Sequence, residues 1–439
     1  MTPIEMAAWS FPILLLLIFL RMPIGLAMAL CGLVGAMLVL GDTAPMLNQL
    51  KQFTYNTFAN YSLSIIPLFL LMGQFAAMGG LSQALFKAAE AWIGHRKGGV
   101  AMSAVGACAG FGAICGSSLA TAATMGQVAL PELRRAGYAG GLSTAALAAG
   151  GTLGILIPPS IVLVIYAILT EQNIAHLFVA ALIPGILAAI GYMIVIAVYV
   201  RVKPESAGRI EPMPMKERWK ATVKIWPVLV IFLAVVGGIY SGIFTPTEAA
   251  AVGAFGTGLA AWAAGGLNRR TLRDALLGTA IATGMIFMIV LGAGLFNTFL
   301  ALSQLPQELA RWVVDLGISP WMVLVVILLI YLLLGCVMDS LSMILLTVPI
   351  FFPVMMGLDF GLTPTETAIW FGILVLIVVE VGLITPPVGM NLFIINKLAR
   401  NVPITQTYVS VLPFVASDLI RTAILVVFPP ITLFLLQLN

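Results

Sequence analysis

The chain has 439 residues, 61% of them hydrophobic and only 9% charged, with a mean hydropathy of +1.10. Soluble domains carry about 25% charged residues, so this composition excludes one. Repeated apolar runs near the ~20 residues that cross a bilayer core point to an all-α polytopic membrane protein. The net charge of +4 does not indicate nucleic-acid binding, because the basic residues have a topological explanation. No strand-like alternation suggests a barrel. Cys31, Cys108, Cys115 and Cys336 all lie in apolar segments, with neither disulfide nor zinc spacing, and read as buried packing. His95 and His176 form no metalloprotease motif.

In chain order, a span near 9–20 lacks a basic n-region and a small-residue cleavage site, so it reads as retained. A second span follows near 22–40, then an amphipathic stretch at 44–58, a span at 61–80 and another amphipathic stretch at 81–95. A Gly- and Ser-interrupted segment covers about 98–134, a long broken one 139–170, and a span 176–200. The polar linker KPESAGRIEPMPMKERWK begins at Lys203. Beyond it come spans near 225–243, 245–265 and 276–300 and an amphipathic stretch at 303–317. An interrupted segment at 320–356, a broken one at 364–398 and a last span at 408–437 complete the chain.

This succession is written twice. RMPIGLAMALCGLVGA and FTPTEAAAVGAFGTG both open a span with proline, and Pro23 and Pro246 are 223 apart. In GAICGSSLATA and GCVMDSLSMIL, Gly112 and Gly335 are 223 apart, as are Ser117 and Ser340. LGILIPPS (153–160) matches VGLITPPV (381–388) at an offset of 228. The expected organisation is a first repeat at 1–202, a cytoplasmic linker at 203–223 and a second repeat at 224–439.

Charge decides whether the interrupted segments cross. If each is a re-entrant hairpin, each half has five crossings and the halves are inverted. Then 18 of the 21 basic residues share a side, Lys51 and Arg311 fall opposite, and Arg421 lies within the last span. The positive-inside rule makes the rich side cytoplasmic and puts both termini outside, with the hairpins opening to opposite faces.

Inverted repeats with paired discontinuous segments mark a secondary transporter whose site lies near the midplane. Irregular backbone survives in hydrocarbon only where it lines a cavity or is buried in protein. Proline removes an N–H and clashes with the carbonyl four residues earlier, so Pro158-Pro159 and Pro386-Pro387 free carbonyls mid-segment. Free carbonyls and hydroxyls suit a hard cation such as sodium, and half-helix N-termini suit an anion. A plain kink is the competing reading of either pair alone.

Membrane serines and threonines usually bond a carbonyl of their own helix, and for Ser118, Thr121 and Ser342 that reading stays open beside ligand contact. Ser117 and Ser340, at matching hairpin tips, are preferred as site residues. Asp339 and Glu380 are charged at membrane depth, which marks either a functional site or a carboxylate capping exposed N–H groups. Asp418 and Arg421, three apart on one helix, read as an internal ion pair.

The motifs FTPTEAAA, GCVMDSLSM, EVGLITPPVGMNLF, LGILIPPS, GSSLATAATMG and RMPIGLA resemble the large membrane subunit of TRAP transporters, in the ion-transporter superfamily. The resemblance covers essentially the whole chain. It implies an elevator-type importer of organic acid anions, such as dicarboxylates, in the bacterial inner membrane, with sodium as coupling ion and no other cofactor. It also implies a small four-helix membrane subunit, expected here as a separate chain, and a periplasmic substrate-binding protein. Carried over by position, sodium would touch Gly116, Ser117, Gly154 and Pro158 at one tip and loop, and Ser340, Gly382, Thr385, Gly389 and Met390 at the other. Substrate would lie between them, near Ser118, Asp339, Ser340, Pro387 and Asn391. Sialic-acid-type relatives are expected to carry an arginine near the position of Leu302, which points away from that substrate here.

Other readings are a stand-alone sodium-coupled carboxylate carrier of the same superfamily, a channel, or an intramembrane hydrolase using Asp339 and Glu380. The last needs two carboxylates brought together. These lie on separate elements with no recognisable catalytic motif, so no enzyme is expected.

Overall fold

The computed structural model describes residues 1–437, and their regular structure is helical throughout. Helices α1 (Pro3–Phe19), α2 (Ile24–Leu40), α3 (Ala44–Phe58), α4 (Ile65–Met78) and α5 (Leu81–Ile93) come first. A hairpin of α6 (Gly99–Cys115) and α7 (Ser118–Arg135) follows. Next, α8 (Gly140–Leu156) and α9 (Ile161–Thr170) form a helix bent by 43° at its break, and α10 (Ile174–Val202) closes the half. The linker holds α11 (Met215–Val223). Then α12 (Trp226–Phe232) runs through a π-helical turn, Leu233–Gly237, into α13 (Gly238–Tyr240). Helices α14 (Pro246–Ala263), α15 (Arg269–Ser303) and α16 (Leu305–Asp315) precede a second hairpin, α17 (Pro320–Gly335) and α18 (Ser340–Met356). A second broken helix, α19 (Pro364–Leu383) and α20 (Met390–Leu398), leads to α21 (Ile404–Val427) and α22 (Pro429–Leu433).

Local sequence sets these starts. Thr-Pro-x-Glu occurs at residues 2–5, 245–248 and 363–366, and each copy opens a helix. In each, the threonine hydroxyl accepts the glutamate N–H and the glutamate carboxylate accepts the threonine N–H, a reciprocal cap. Proline at the first helical position has no N–H to leave unpaired. A similar cap at Asn268 and Thr271 starts α15 seven residues before the expected span, inside polar sequence. The resulting 35-residue helix is about 52 Å long and outreaches a bilayer core. The last span ends at Val427, ten residues before the expected 437. Pro429 and Pro430 follow, and neither can donate the N–H that would continue α21.

Two crossed pairs make a frame: α2 packs along α15, and α14 along α4. Glycines permit the first approach, since a Cβ on Gly25 would lie 2.6 Å from the Met288 carbonyl oxygen. The outer face of α2 presents Leu26, Leu30, Val34 and Leu38 at four-residue spacing, all exposed, as a lipid-facing stripe requires. Beyond the frame, α8 and α19 pack against the hairpins, α10 and α21 and are buried along nearly their whole length. Among the hairpin arms, α6, α17 and α18 have 16 or 17 residues, shorter than a full span.

The expected pair within α21 is present: Arg421 Nη2 lies 2.9 Å from Asp418 Oδ1, both side chains buried. The Tyr192 hydroxyl of α10 donates to Asp418 Oδ2 at 2.7 Å and lies 2.9 Å from Thr152 Oγ1 of α8. This chain of polar contacts joins three core helices. Removing one partner of a buried ion pair strands the other charge at a cost of ~3–5 kcal/mol, whereas replacing both by apolar groups is often neutral. Arg421→Met is therefore expected to lower the thermal midpoint in detergent more than the double variant Asp418→Leu/Arg421→Met does. Equal losses would show that the stranded carboxylate is not the cause.

Candidate functional site

Each hairpin crosses the broken helix of its own half at a pair of glycines. A Cβ on Gly112 of α6 would lie 2.6 Å from the Cα of Gly154 on α8. A Cβ on Gly382 of α19 would lie 2.6 Å from the backbone of Gly335 on α17. The backbones touch, and each tip then lies over a break. At the first tip, Gly116 adopts φ +64°, which favours glycine, and a Cβ there would approach the Pro159 carbonyl oxygen to 3.0 Å. At the second, the Gly389 N–H donates to the Cys336 carbonyl at 3.3 Å, and the Leu383 and Thr385 carbonyls crowd the same glycine. Both breaks hold a cis Pro-Pro bond, Pro158-Pro159 and Pro386-Pro387.

The second arms start at capped N-termini. Ser117 caps α7, its hydroxyl accepting the Ala120 N–H at 3.4 Å. Asp339 caps α18, with Oδ2 accepting the Ser342 N–H at 3.1 Å and Oδ1 accepting the Ser342 hydroxyl. Capping therefore accounts for Asp339's local bonds. The first helical residues, Ser118 and Ser340, share one partner: Ser118 Oγ donates to Glu380 Oε2 at 2.5 Å and Ser340 Oγ to Glu380 Oε1 at 2.8 Å. Glu380 is 1% exposed on α19 and ties the two tips together.

Above the tips lies a cavity of about 610 Å³. One wall is the frame: Pro23, Ile24 and Gly25 at the start of α2, with Met285, Ile286, Met288 and Ile289 of α15. The other comprises Gly116, Ser117, Ser118 and Leu119 of the first hairpin and Asp339, Ser340, Leu341 and Ser342 of the second. Two helix N-termini thus open into one space. Each leaves two uncapped N–H groups, those of Ser118 and Leu119 and those of Ser340 and Leu341, and a positive dipole end. No Lys, Arg or His lines the cavity among the described residues.

Paired breaks under paired tips, with a shared cavity, are the arrangement of a membrane transporter's binding region. The family described as "Tripartite ATP-independent periplasmic transporter, DctM component" matches residues 11–431. The chain belongs to that family. It is 38% identical over 405 residues to the C4-dicarboxylate TRAP transporter large permease protein DctM of Pseudomonas aeruginosa, covering 92% of each chain. It is 31% identical over 427 residues to the sialic acid TRAP transporter large permease protein SiaM of Vibrio cholerae, covering 96% of each. The Alcanivorax borkumensis YdaH transporter, a crystal structure of unusual topology, shares the fold at a TM-score of 0.63 and 15% identity, covering 87% of this chain and 88% of that one. DctM relatives are permease components of a three-part transporter, and this chain is a multi-pass member of that class.

Of the residues expected at the site, Gly116, Ser117, Ser118, Asp339 and Ser340 line the cavity. Gly154, Pro158, Gly382, Thr385, Gly389 and Met390 lie at the breaks or where the hairpins cross them. Pro387 and Asn391 do not reach the cavity. The Pro387 carbonyl accepts the Tyr408 hydroxyl at 2.7 Å, and Asn391 is fully buried with Nδ2 donating to the Ala148 carbonyl at 3.3 Å. Leu302 lies 13 residues beyond Ile289 on α15, outside the cavity. The Thr385 hydroxyl donates to the Val381 carbonyl at 2.6 Å.

Sequence matching paired Ser117 with Ser340. In the structure the capping residues are Ser117 and Asp339, so the equivalents are Ser118 and Ser340. Ser117 caps five positions after Gly112, whereas Asp339 caps only four positions after Gly335. The two contacts of Glu380 were also missed, although a carboxylate beside a break was the available signal. Alanine at Gly112 or Gly382 must push backbone against backbone, and overpacking of this kind costs ~1–3 kcal/mol. Both variants are expected to melt earlier than wild type and to lose transport. A wild-type melt for either would mean that the crossing has room to give.

Proposed function

We propose that the chain is the large membrane subunit of a sodium-coupled importer of organic acid anions, dicarboxylates by preference, in a bacterial inner membrane. The observation that carries this reading is the single cavity shared by two helix N-termini above two broken helices. An anion fits there because the uncapped N–H groups and dipole ends of α7 and α18 converge. The same region holds two carboxylates, Asp339 beside the cavity and Glu380 beneath it. An anion entering alone would meet both, so cations must enter with it. Carbonyls crowding the breaks suit sodium: Pro159 beside Gly116, and Leu383 and Thr385 beside Gly389.

The elevator reading follows from the cavity's two walls. The tips and breaks, with Glu380, would move as one body against α2 and α15. The two halves would be inverted, 1–202 and 224–439 about a cytoplasmic linker, with both termini periplasmic. A small four-helix membrane subunit and a periplasmic binding protein would complete the importer. Dicarboxylates are favoured over sialic acid because the P. aeruginosa C4-dicarboxylate relative is the more similar of the two compared, and because no arginine stands near Leu302.

The test is uptake into proteoliposomes holding the chain, its small subunit and its binding protein, across a panel of carboxylates, with and without a sodium gradient. Sodium-dependent accumulation of a C4-dicarboxylate is expected, with little from the chain alone. Equal uptake by the chain alone would favour a stand-alone carrier. Asp339→Asn keeps one capping oxygen and should fold, yet transport poorly. Wild-type rates in that variant would make the charge dispensable.

Orientation has its own test. Single cysteines at 97, 135, 216 and 270 should be blocked only from the cytoplasm, and one at 359 only from outside. Labelling of 97 and 135 from opposite sides would sink the first hairpin's re-entrance.

Thr385 separates the two cation sites, since Ile157 stands at the matching position of the first break. Its hydroxyl donates its proton to Val381, which leaves the oxygen lone pairs available to a cation. Thr385→Val should raise the half-saturating sodium concentration at unchanged yield, and Thr385→Ser should restore it. An unchanged half-saturation would reduce the hydroxyl to a local helix contact.

A further inference from the structure

We propose that the surface between α10 and α21 is a binding site for an anionic phospholipid, with one acyl chain in an apolar groove and the phosphate beside Lys203. The site requires only that the chain spans a membrane, and depends on neither the substrate nor sodium. The groove, of about 390 Å³, is lined by Ile194, Val195, Val198 and Val202 of α10 and by Val409 and Pro413 of α21. Ile194, Val198, Val202 and Val409 are each more than half exposed, so the groove opens toward lipid. Tyr199, Lys203 and Val409 also line a second cavity of about 360 Å³, so the groove runs directly into it.

The second cavity is polar. It lies at the starts of two long helices, with Ala139, Gly141 and Leu142 from α8 and Thr405, Gln406 and Ser410 from α21. A Cβ on Gly141 would lie 2.6 Å from Ser410 Oγ, so it is glycine that lets the two starts meet. Neither start has a side-chain cap, and the first N–H groups of a helix have no acceptor within it. The Lys203 ammonium stands 5.6 Å from the Tyr199 ring centroid, and no carboxylate lies within 4 Å of it among the described residues. The carbonyls at the end of α10 are already engaged: that of Tyr199 accepts the Lys203 N–H, and that of Lys203 accepts the Ser206 N–H and hydroxyl. Across Gln406, a neighbouring cavity adds Arg134, Arg135 and Arg400, and Glu132 there is held by Arg135.

An anion from solution would use only the polar half of this site, and a hydrocarbon only the apolar half. A phospholipid uses both, because its phosphate sits at the level where a span ends. A zwitterionic headgroup would bring its own cation to Lys203, so the charge selects an anionic lipid.

The test is the melting midpoint of the purified full chain in nonionic detergent, without sodium or substrate, titrated with phosphatidylglycerol, phosphatidylcholine or inorganic phosphate. A ligand that binds the folded state raises the midpoint by mass action. Phosphatidylglycerol is expected to act at a several-fold lower mole fraction than phosphatidylcholine, and inorganic phosphate to have no effect. Lys203→Gln should raise the half-effective phosphatidylglycerol about fivefold, and Lys203→Arg should stay near wild type. Val198→Trp fills the groove from an exposed position and should weaken both lipids. Arg270→Gln, exposed at the start of α15 and outside both cavities, should shift the titration by less than about twofold, because screened distant charges contribute little. Equal shifts in Arg270→Gln and Lys203→Gln would reduce the effect to diffuse attraction and overturn the site. Stabilisation by inorganic phosphate equal to that by phosphatidylglycerol would overturn the role of the groove. A Val198→Trp chain that binds phosphatidylglycerol as wild type does, but no longer co-purifies with a small membrane subunit, would make the groove a subunit interface instead. Each of these failures leaves the proposed importer untouched.

Discussion

A peptide group inside a bilayer must find a partner, and this fold is arranged around the two places where helices cannot supply one. The breaks at 157–160 and 384–389 each interrupt a helix, the first fully buried and the second exposed at Pro387. Each has a hairpin laid across it, and that approach is possible only because glycine faces glycine at 112 and 154 and at 335 and 382. The rest follows from this contact. The hairpin tips are delivered to the breaks, their second arms start there, and their caps satisfy a third-position N–H each, that of Ala120 and that of Ser342. Glu380, four residues before the second break, then binds both tips to one point.

The electrostatics of the cavity are those of helix ends and carboxylates, without a cationic side chain among the described residues. An arginine on the wall would hold an anion whether or not a cation was present. Here the positive character comes from two helix N-termini, each equivalent to about half a charge, and two carboxylates stand close by. On the proposed coupled reading, such a site would be weak for an anion alone and stronger for an anion accompanied by cations. The breaks supply neutral carbonyl oxygens, which hold a hard cation without adding negative charge. Were anion and cation to bind as proposed, they would share the same tips, so occupancy of one would alter the field at the other.

Much of this was legible in the sequence, and the reasons differ from residue to residue. The crossing glycines repeat at a fixed offset because a backbone contact tolerates no other residue, so Gly112 and Gly335 could be matched without structure. The serines were matched one position out because the second tip is a residue shorter, and a one-residue change does not disturb the hydrophobic pattern. Asp418 and Arg421 were legible because helical spacing alone puts them together. The partners of Glu380 were not, being 262 and 40 residues away in the chain. Only the folded crossing brings them together. The family resemblance puts Asn391 near the substrate, whereas in the structure α8 packs over it and takes its amide. The last span was read too long because apolar composition continues past Val427, whereas hydrogen bonding stops at the proline pair.

The cavity's two walls also differ in chemistry, and that difference bears on movement. The frame side offers methionine, isoleucine and proline side chains and the glycine of α2. The tip side holds every polar side chain of the lining: Ser117, Ser118, Asp339, Ser340 and Ser342. A ligand held by the tips makes its directional bonds to one body only. If that body slides, as in the proposed elevator motion, an apolar wall has no side-chain hydrogen bonds to break and re-form, and dispersion contacts change gradually with position. A polar group on α2 or α15 facing the cavity would instead bond the ligand in one position and be left unpaired in another, at ~1–3 kcal/mol each time. The division of polarity between the walls is therefore what a carrier needs if its site is to travel with its cargo.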